Sequence, residues 1–330
     1  MNTPLLQVHD LARHFRMRTG LLRRSTEVLR AVDGVSFKVG RGRTFALVGE
    51  SGCGKSTLGR TILRLHEPTA GRVMLDGVDI TALGPAALKR QRKHMQMIFQ
   101  DPHASLSPRR TVGRILDEPL ALHGYGTKDR RRQRVLELLD IVGLASATRH
   151  RYPHEFSGGQ RQRIGIARAL AVEPKLIVAD EAVSALDVSV QSQILNLLGE
   201  LQAEFGLSFV FISHDLAVVQ HISHVVGVMY LGKLVETAPV DRIYDAPAHP
   251  YTRALLDAVP VAEPGRRDKR LVLTGEVPSP LTPPPGCPFH TRCPLAMSVC
   301  RSRVPRTIEI GQHGRPHQVS CHLHDPEIGH

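Results

Sequence analysis

The most chemically specific segment of this 330-residue chain is a glycine-rich run followed by a lysine and a serine. Residues 49–57 read GESGCGKST and fit the pattern G-x-x-x-x-G-K-S/T. Glycines let several backbone N–H groups point inward around phosphate oxygens, Lys55 can reach the β- and γ-phosphates, and the Ser56 hydroxyl can ligate Mg²⁺. The run predicts a P-loop that binds a nucleoside triphosphate through Gly49, Ser51, Gly52, Cys53, Gly54, Lys55, Ser56 and Thr57.

Two neighbouring carboxylates are a second candidate for chemistry. The apolar run 176–179 is followed directly by Asp180 and Glu181. Because P-loop NTPases have a Mg²⁺-binding acidic residue at the end of such a strand, Asp180 is predicted to hold the metal, directly or through water. Glu181 would then orient and deprotonate an attacking water. Without the P-loop, the pair would be interpreted as the cap of a helix N-terminus.

Short apolar runs alternate along the chain with stretches of helical periodicity. The runs are partly β-branched and bounded by polar residues or glycine, which predicts strands buried on both faces. A strand before the P-loop and a helix with Leu58, Ile62 and Leu65 after it provide the context that a P-loop requires. The alternation predicts an α/β fold with a largely parallel sheet. Strands are predicted at 45–48, 97–99, 176–179, 209–212 and 225–229, and further helices at Val135–Val142, Arg161–Ala171 and Ile194–Phe205.

Composition divides the chain into three regions. Residues 1–258 are predicted to form the nucleotide-binding domain, with a helical subdomain at about residues 100–170, where no convincing buried strand occurs before Phe156. Residues 259–285 are rich in proline and include a basic run, which is typical of a linker. Residues 286–330 are predicted to form a small module that holds four of the five cysteines.

The charge balance limits the classes of partner. Lys and Arg number 43 against 31 Asp and Glu, a formal net charge of +12, and 42% of the residues are hydrophobic, too many for a disordered chain. A basic protein attracts polyanions such as nucleotides, nucleic acid or an anionic membrane surface. No stretch is long and apolar enough to span a bilayer, and Met1–Gly20 is too charged for a signal peptide. The chain is expected to be neither exported nor membrane-spanning.

Six motifs occur in an order that is typical of one family. They are the P-loop, Gln100 after a strand, Ser157–Gln160 (SGGQ), the strand that ends in Asp180, Ser184–Asp187, and Ser213–Asp215. In this order the chain resembles the nucleotide-binding subunit of an ATP-binding cassette (ABC) transporter. The resemblance implies a P-loop NTPase fold, ATP and Mg²⁺ as cofactors, ATPase activity, and a head-to-tail dimer that traps two ATP molecules.

The resemblance also implies roles in catalysis. Gln100 would meet Mg²⁺ and the attacking water and would move with the helical insert. Ser56 and Asp180 would be the other Mg²⁺ ligands, Glu181 the catalytic base, and His214 the histidine that contacts the γ-phosphate.

Other residues are implied to bind nucleotide. Asp187 would belong to the loop that crosses to the opposite site, and Phe15 is the candidate to stack on adenine. Ala182 stands where the family has a proline, which would affect the rate of hydrolysis rather than nucleotide binding. The residues that would close over the partner's nucleotide are Ser157, Gly158, Gly159 and Gln160.

Longer segments narrow the resemblance to the ATP-binding subunits of oligopeptide and dipeptide importers. The segments are 4–11, 31–37, 99–109, 152–157 and 249–256, and the similarity covers nearly the whole chain. The group implies a peripheral subunit at the cytoplasmic face of the inner (plasma) membrane that powers import of peptides or a related small solute. The implied partners are a second, different ABC ATPase, two transmembrane permeases and an extracytoplasmic substrate-binding protein, with no direct contact to nucleic acid.

The C-terminal cysteines form a further candidate site. Cys287 and Cys293 are separated by five residues, Cys293 and Cys300 by six, and Cys300 and Cys321 by twenty. Thiolates select zinc or an iron–sulfur cluster, and a proline follows two of the cysteines, as in one bacterial cluster motif. So small a module has little core of its own, which favours a metal, a [4Fe–4S] cluster ahead of zinc, over four unliganded thiols. The importer resemblance also implies a four-iron cluster for some members.

Two other classes of function remain open. A soluble ABC ATPase acting on nucleic acid or the ribosome would suit the net charge of +12. However, genome-maintenance relatives place a long coiled coil, rather than a helical insert, between the positions of Lys55 and Ser157, and translation relatives carry two cassettes. A non-enzymatic adaptor is disfavoured because Lys55, Asp180, Glu181 and His214 are all present.

Overall fold

The computed structural model describes residues 3–19, 25–101, 105–258, 275–311 and 315–328. These residues form two units. One unit comprises Met1–Gln7, Lys38–Thr44 and Met74–Ser213, and it is called the signature unit because it contains the SGGQ signature sequence. The P-loop unit comprises Val8–Phe37, Phe45–Val73 and His214–His330. Residues 102–104 of the importer-like segment and residues 259–274 of the predicted linker lie outside the described residues, so the linker boundaries stay a prediction.

Strands and helices alternate along most of the chain. Each strand predicted from an apolar run is confirmed, with ends that differ by at most two residues. In chain order the elements are β1 (Leu6–Thr19), β2 (Ser25–Val39), β3 (Thr44–Val48), α1 (Lys55–Ile62), β4 (Ala70–Leu75), β5 (Val78–Asp79), α2 (Pro85–Gln91), β6 (Met95–Ile98), α3 (Val112–Leu122), α4 (Lys128–Ile141), α5 (Gly158–Leu170), β7 (Leu176–Asp180), α6 (Val188–Phe205), β8 (Ser208–Ile212), α7 (Leu216–Ile222), β9 (Val225–Tyr230), β10 (Lys233–Pro239), α8 (Val240–Asp245), α9 (Pro250–Asp257), β11 (Ile308–Glu309) and β12 (Gln318–Val319). Short 3-10 helices lie at Arg92–His94, Ser146–His150, Pro153–Glu155, Ser298–Arg301 and His322–His324.

Three parallel strands form the centre of the signature unit. β7 pairs with β6 on one side and with β8 on the other, so that Val178 lies opposite Met97 and Val210. Every residue of β7 and β8 is buried, as expected for strands covered on both faces. Asp180 is the last residue of β7 and therefore lies at the carboxyl end of the middle strand of the three.

The segment predicted as a helical insert contains helices where the structure describes it. Among the described residues between Gln100 and Phe156, the regular elements are helices and 3-10 turns, and none is a strand. Helices α3, α4 and α5 pack against one another. The helix predicted at Ile194–Phe205 lies within α6, whereas Leu65, predicted to lie in the helix after the P-loop, lies beyond the end of α1. No helix in the described ranges combines the length and the apolar character needed to cross a bilayer.

The P-loop unit mixes parallel and antiparallel pairing. β3 is parallel to β9, and β9 is antiparallel to β10. β10 pairs antiparallel with β12, and β12 with β11, so the C-terminal module extends the sheet that carries the P-loop. The expectation of a largely parallel sheet missed these strands and also β1, which lies between β2 and β4. These strands alternate polar with apolar residues, or are only two residues long, and so contain no apolar run to reveal them.

A buried histidine begins α9 in the P-loop unit. The His249 Nδ1 accepts a hydrogen bond from the Tyr251 N–H at 3.0 Å and so caps the helix. The His249 N–H donates to the Glu236 carboxylate at 2.9 Å. Burial lowers the pKa of His249 to about 4, although the nearby Glu236 carboxylate opposes that shift. The imidazole is therefore neutral at pH 7, as its role as an acceptor requires.

Acid is expected to destabilise the protein through His249. A free imidazole has a pKa of 6.5 and the folded one a pKa of about 4, so its contribution is complete above pH 6.5 and is lost as the pH falls toward 4. At 1.36 kcal/mol per pKa unit, the free energy of unfolding falls by about 3 kcal/mol. His249→Asn keeps a capping oxygen that does not titrate, so its melting temperature should fall less steeply between pH 7 and pH 4.

The exposed His221 provides the matched control. His221→Asn should melt with the same pH dependence as the unaltered chain. Parallel melting curves for His249→Asn and the unaltered chain would contradict the assignment.

Candidate active site

The P-loop joins β3 to α1 through glycines in the left-handed region. Gly49 has a φ of 148° and Gly54 a φ of 106°. A Cβ atom at Gly49 would lie 2.2 Å from the carbonyl oxygen of Met229, and one at Gly54 would lie 2.0 Å from that of Ala31. Only glycine fits at either position without moving the backbone of β9 or β2. The loop therefore has a fixed shape, set by the strands on both sides of it.

Lys55 is held inside this loop. Its Nζ donates hydrogen bonds to the carbonyl oxygens of Gly49 at 2.7 Å and Glu50 at 2.9 Å, and the residue is 5% exposed. Ser56 and Thr57 lie in the first turn of α1, at the positive end of the helix dipole. Backbone N–H groups, an ammonium group and a helix N-terminus together form a site that suits phosphate.

The other P-loop side chains divide between surface and interior. Ser51 and Gly52 are exposed, whereas Cys53 is 4% exposed. Burial raises the pKa of the Cys53 thiol, although Lys55 opposes that shift. A protonated, enclosed thiol is a poor nucleophile, so Cys53 fills space in the loop.

The structure brings together two of the predicted catalytic residues. The Gln100 Nε2 donates a hydrogen bond to the Glu181 Oε2 at 2.6 Å. Glu181 has a left-handed backbone, with a φ of 48°, and its N–H donates to the Ile212 carbonyl oxygen at 3.0 Å. Asp180, directly before it, is 1% exposed. The chain thus turns sharply after β7, and Glu181 meets Gln100 beside the carboxyl end of the sheet of the signature unit.

The signature sequence is the start of α5. The Ser157 Oγ accepts a hydrogen bond from the Gln160 N–H at 3.3 Å, and the Gln160 Oε1 accepts one from the Ser157 N–H at 3.1 Å. This reciprocal pair is a capping box, which explains why serine and glutamine occur at this spacing. Ser157, Gly158 and Gln160 are exposed and Gly159 is half-buried.

Asp187 also begins a helix. Its Oδ1 accepts hydrogen bonds from the Val190 N–H at 2.9 Å and the Ser189 hydroxyl at 2.7 Å, which caps α6. The hydrogen bond from the Val190 N–H is the main reason why the pKa of Asp187 is lowered. The role of Asp187 toward an opposite site stays a prediction.

His214 and Phe15 both lie in the P-loop unit. His214 is exposed and follows β8, just before Asp215, whose carboxylate accepts the Ala217 N–H at 2.8 Å and caps α7. Phe15 lies in β1, with the Arg13 guanidinium 4.3 Å from its ring centroid and the His66 ring edge-on at 5.7 Å. Adenine stacking by Phe15 stays a prediction.

Sequence reasoning missed two residues, Tyr251 and Arg292, that hold the P-loop at Glu50. The Glu50 N–H donates a hydrogen bond to the Tyr251 hydroxyl at 2.9 Å. The Arg292 Nη1 and Nη2 donate to Glu50 Oε2 and Oε1 at 2.6 and 3.0 Å. The partners are 201 and 242 residues apart, a separation at which the spacing of residue types carries no signal.

The four C-terminal cysteines do not form a ready metal site. Within the described ranges, no group of three or more His, Cys, Asp or Glu side chains is placed to hold a metal ion. Burial raises the pKa of Cys287 to about 11 and that of Cys321 to about 12, and it also raises the pKa of Cys293. Without a metal these thiols are protonated at neutral pH, and a bound metal ion would displace their protons. Cys300 is buried with them.

Comparison with known sequences agrees with the motif order. The family profile described as "ABC transporter" matches residues 32–184, and the one described as "Oligopeptide/dipeptide transporter, C-terminal region" matches residues 235–300. The "Oligopeptide transport ATP-binding protein AppF" of Bacillus subtilis (strain 168) is 52% identical to this chain over 323 residues, which cover 97% of each chain. The "Probable peptide ABC transporter ATP-binding protein y4tS" of Sinorhizobium fredii is 52% identical over 326 residues, covering 99% of this chain and 92% of the relative.

Solved structures share the fold. The ATP-binding cassette MJ0796, in a dimeric post-hydrolysis state bound to ADP and Pi, matches with a TM-score of 0.63 and 29% identity over 71% of this chain and 98% of that chain. CbiO1 from Clostridium perfringens, part of the transporter complex cbiONQ, matches with a TM-score of 0.63 and 26% identity over 74% of this chain and 91% of that chain. The predicted P-loop fold class is confirmed.

Lys55→Ala should abolish tight binding of Mg·ATP. The substitution removes a charged donor to phosphate, and a hydrogen bond of that kind is worth about 1.5–3 kcal/mol, or about 10- to 100-fold in affinity. Isothermal titration of the full chain measures the loss. Lys128→Ala, at the exposed start of α4, is the matched control and should bind normally. Unchanged affinity in Lys55→Ala would overturn the P-loop assignment.

Proposed function

The chain belongs to the family of ABC transporter ATP-binding subunits, and from this premise we propose that it hydrolyses ATP to power the import of oligopeptides, dipeptides or a related small solute. One observation carries the proposal: an ABC transporter profile and a peptide-transporter C-terminal profile match the same chain. The ABC transporter match implies ATP hydrolysis, and the C-terminal region distinguishes peptide transporters from other ABC transporters.

The proposed roles in hydrolysis follow from the contacts of each residue. Residues 49–57 would hold the phosphates, with Lys55 as the cation, and Ser56, Asp180 and Gln100 would hold Mg²⁺. When bound, Mg²⁺ neutralises charge on the phosphate oxygens. Glu181 takes the proton of an attacking water, and its hydrogen bond to Gln100 at 2.6 Å orients the carboxylate for that task.

Coupling to transport would use the exposed surfaces of the signature unit. The exposed N-terminus of α5 would close over the nucleotide of a second subunit. His214, which lies in the P-loop unit, would contact a γ-phosphate. Gln100 begins the segment that leads into the helical insert, so its contact with Glu181 would link hydrolysis to movement of α3 and α4. Closure on ATP and reopening after hydrolysis would provide the transport cycle.

The proposed assembly has several partners. A second, different ABC ATPase would form the dimer, two permeases would cross the membrane, and an extracytoplasmic binding protein would deliver the solute. In this assembly the chain would lie peripherally at the cytoplasmic face of the plasma membrane. The other function considered, a soluble ABC ATPase on nucleic acid or the ribosome, has only the net charge of +12 in its favour.

The C-terminal cysteines carry a separate proposal, a [4Fe–4S] cluster with zinc as the second choice. In support, the Cys287 N–H donates a hydrogen bond to the Cys300 carbonyl oxygen at 2.9 Å, so two of the four cysteines are adjacent. Metal loading would require the thiols to ionise and rearrange. No step of hydrolysis passes through such a cluster.

Glu181→Gln should separate ATP binding from hydrolysis. The amide keeps the size of the side chain but accepts no proton, and loss of a general base lowers turnover by about 100- to 10,000-fold. The variant should bind Mg·ATP and accumulate as a closed dimer in light scattering. Glu200→Gln, on the exposed side of α6, is the matched control. Normal turnover in Glu181→Gln would contradict its role as the base.

Anaerobic purification with bound partners tests the assembly and the metal together. Mass spectrometry should identify two permeases and a second ATPase, and metal analysis should find iron and sulfide. Recovery with ribosomes or DNA and without membrane proteins would favour the soluble alternative. Zinc in place of iron would select the second choice of metal, and the absence of both would overturn the metal proposal.

A further inference from the structure

A carboxylate stands within the loop that is proposed to bind phosphate. Glu50 is the second residue of the P-loop, and its carbonyl oxygen accepts a hydrogen bond from Lys55 Nζ at 2.9 Å. Its side chain is 26% exposed. A negative charge so close to a triphosphate repels it, and an ammonium group within reach is an alternative partner for that carboxylate. A P-loop with glutamate at this position therefore needs a group that neutralises the Glu50 carboxylate.

Arg292 provides that group. Both terminal nitrogens of its guanidinium donate to the Glu50 carboxylate, one to each oxygen, at 2.6 and 3.0 Å. The Arg292 side chain is 5% exposed, so solvent screens the pair weakly. Bidentate pairing fixes the orientation of the Glu50 carboxylate and neutralises its charge, because both carboxylate oxygens accept hydrogen bonds from the guanidinium. The hydrogen bonds to Glu50 raise the pKa of Arg292, which stays charged at every relevant pH.

The C-terminal module holds Arg292 in place. The Arg292 N–H donates to the Phe289 carbonyl oxygen at 3.0 Å, and the Phe289 ring, 1% exposed, packs against Tyr230 and Tyr251 with ring centroids 5.3 Å away in each case. The Tyr251 hydroxyl in turn accepts the Glu50 N–H at 2.9 Å. Backbone and side chain of Glu50 are thus both held within the P-loop unit, the side chain by a residue of the module.

A second set of contacts fixes the module to the sheet. β12 pairs with β10, and the His317 Nε2 lies 2.7 Å from the buried Glu236 carboxylate of β10. Glu236 also accepts the N–H groups of Ala248 and His249 at 2.7 and 2.9 Å, just before α9 and Tyr251. Displacement of the module would therefore disturb Arg292 and the support of Tyr251 together.

We propose that Arg292 is a positioning residue for nucleotide binding: its guanidinium neutralises Glu50 and draws the carboxylate away from the phosphate site. The C-terminal module must then be seated before the P-loop binds a triphosphate at full affinity. This inference rests on the proposed nucleotide site of the P-loop. It gives the module a role in nucleotide binding that does not depend on whether the cysteines hold a metal.

Titration of the full chain with Mg·ATP tests the proposal. Arg292→Met keeps the apolar stem of the side chain but leaves Glu50 uncompensated, and affinity for ATP should fall about tenfold or more. Glu50→Gln combined with Arg292→Met removes the uncompensated charge and should restore affinity to within about threefold of the unaltered chain. Arg292→Lys supplies charge without the bidentate geometry and should give an intermediate affinity.

Two controls separate positioning from general stability. Arg306→Met removes ion pairs to Asp325 and Glu327 in the same module and should leave ATP affinity unchanged. The loss in Arg292→Met should be larger for ATP than for ADP, because the triphosphate carries more negative charge. A residue that only stabilised the fold would produce neither the difference between nucleotides nor the rescue by Glu50→Gln.

The outcomes are distinct. Normal ATP affinity in Arg292→Met, or a loss that Glu50→Gln does not restore, would overturn the inference. If Arg292→Met does not fold, as judged by circular dichroism, Arg292→Lys and its combination with Glu50→Gln give the same comparison. Failure of the unaltered chain to bind Mg·ATP would instead overturn the proposed function.

Discussion

Close packing of backbone against the phosphate-binding loop is the constraint on which the P-loop unit depends. Gly49 lies against the Met229 carbonyl of β9, and Gly54 against the Ala31 carbonyl of β2, with no space for a Cβ atom at either. The loop can take this shape only if both strands are in position. The parallel pairing of β3 with β9 and the position of the C-terminal strands beyond β10 therefore support the same few backbone groups.

The chemistry is divided between the two units. The P-loop unit holds the cation and the helix N-terminus that suit phosphate, and the signature unit holds the carboxylates at the end of β7 and the exposed capping box of α5. Hydrogen bonds within each unit give its groups their orientation: Gln100 holds Glu181, and Arg292 holds Glu50. In this account hydrolysis depends on groups that are each oriented in advance, so that little reorganisation is needed when nucleotide binds.

The sequence predicted what depends on local residues and missed what depends on distant ones. The strand before the P-loop, the helix after it and the helices of the insert follow from patterns a few residues long. The role of Gln100 at the attacking water followed only from the family resemblance, and its hydrogen bond to Glu181 was not predicted. The contact of Arg292 with Glu50 has no local signature, since it joins residues 242 apart, and β12 is too short to predict. The spacing of the cysteines indicated a metal site, but within the described ranges no group of three or more possible ligands is placed to hold a metal ion.

Uptake into proteoliposomes tests the central claim most directly. The full transporter, with this chain, its partner ATPase and the permeases, would be reconstituted with ATP at the face where this chain lies, and a labelled peptide would be supplied with its binding protein at the other face. We expect accumulation of peptide against its gradient that requires ATP and stops when this chain carries Glu181→Gln. Accumulation that continues without ATP, or with that variant, would contradict it.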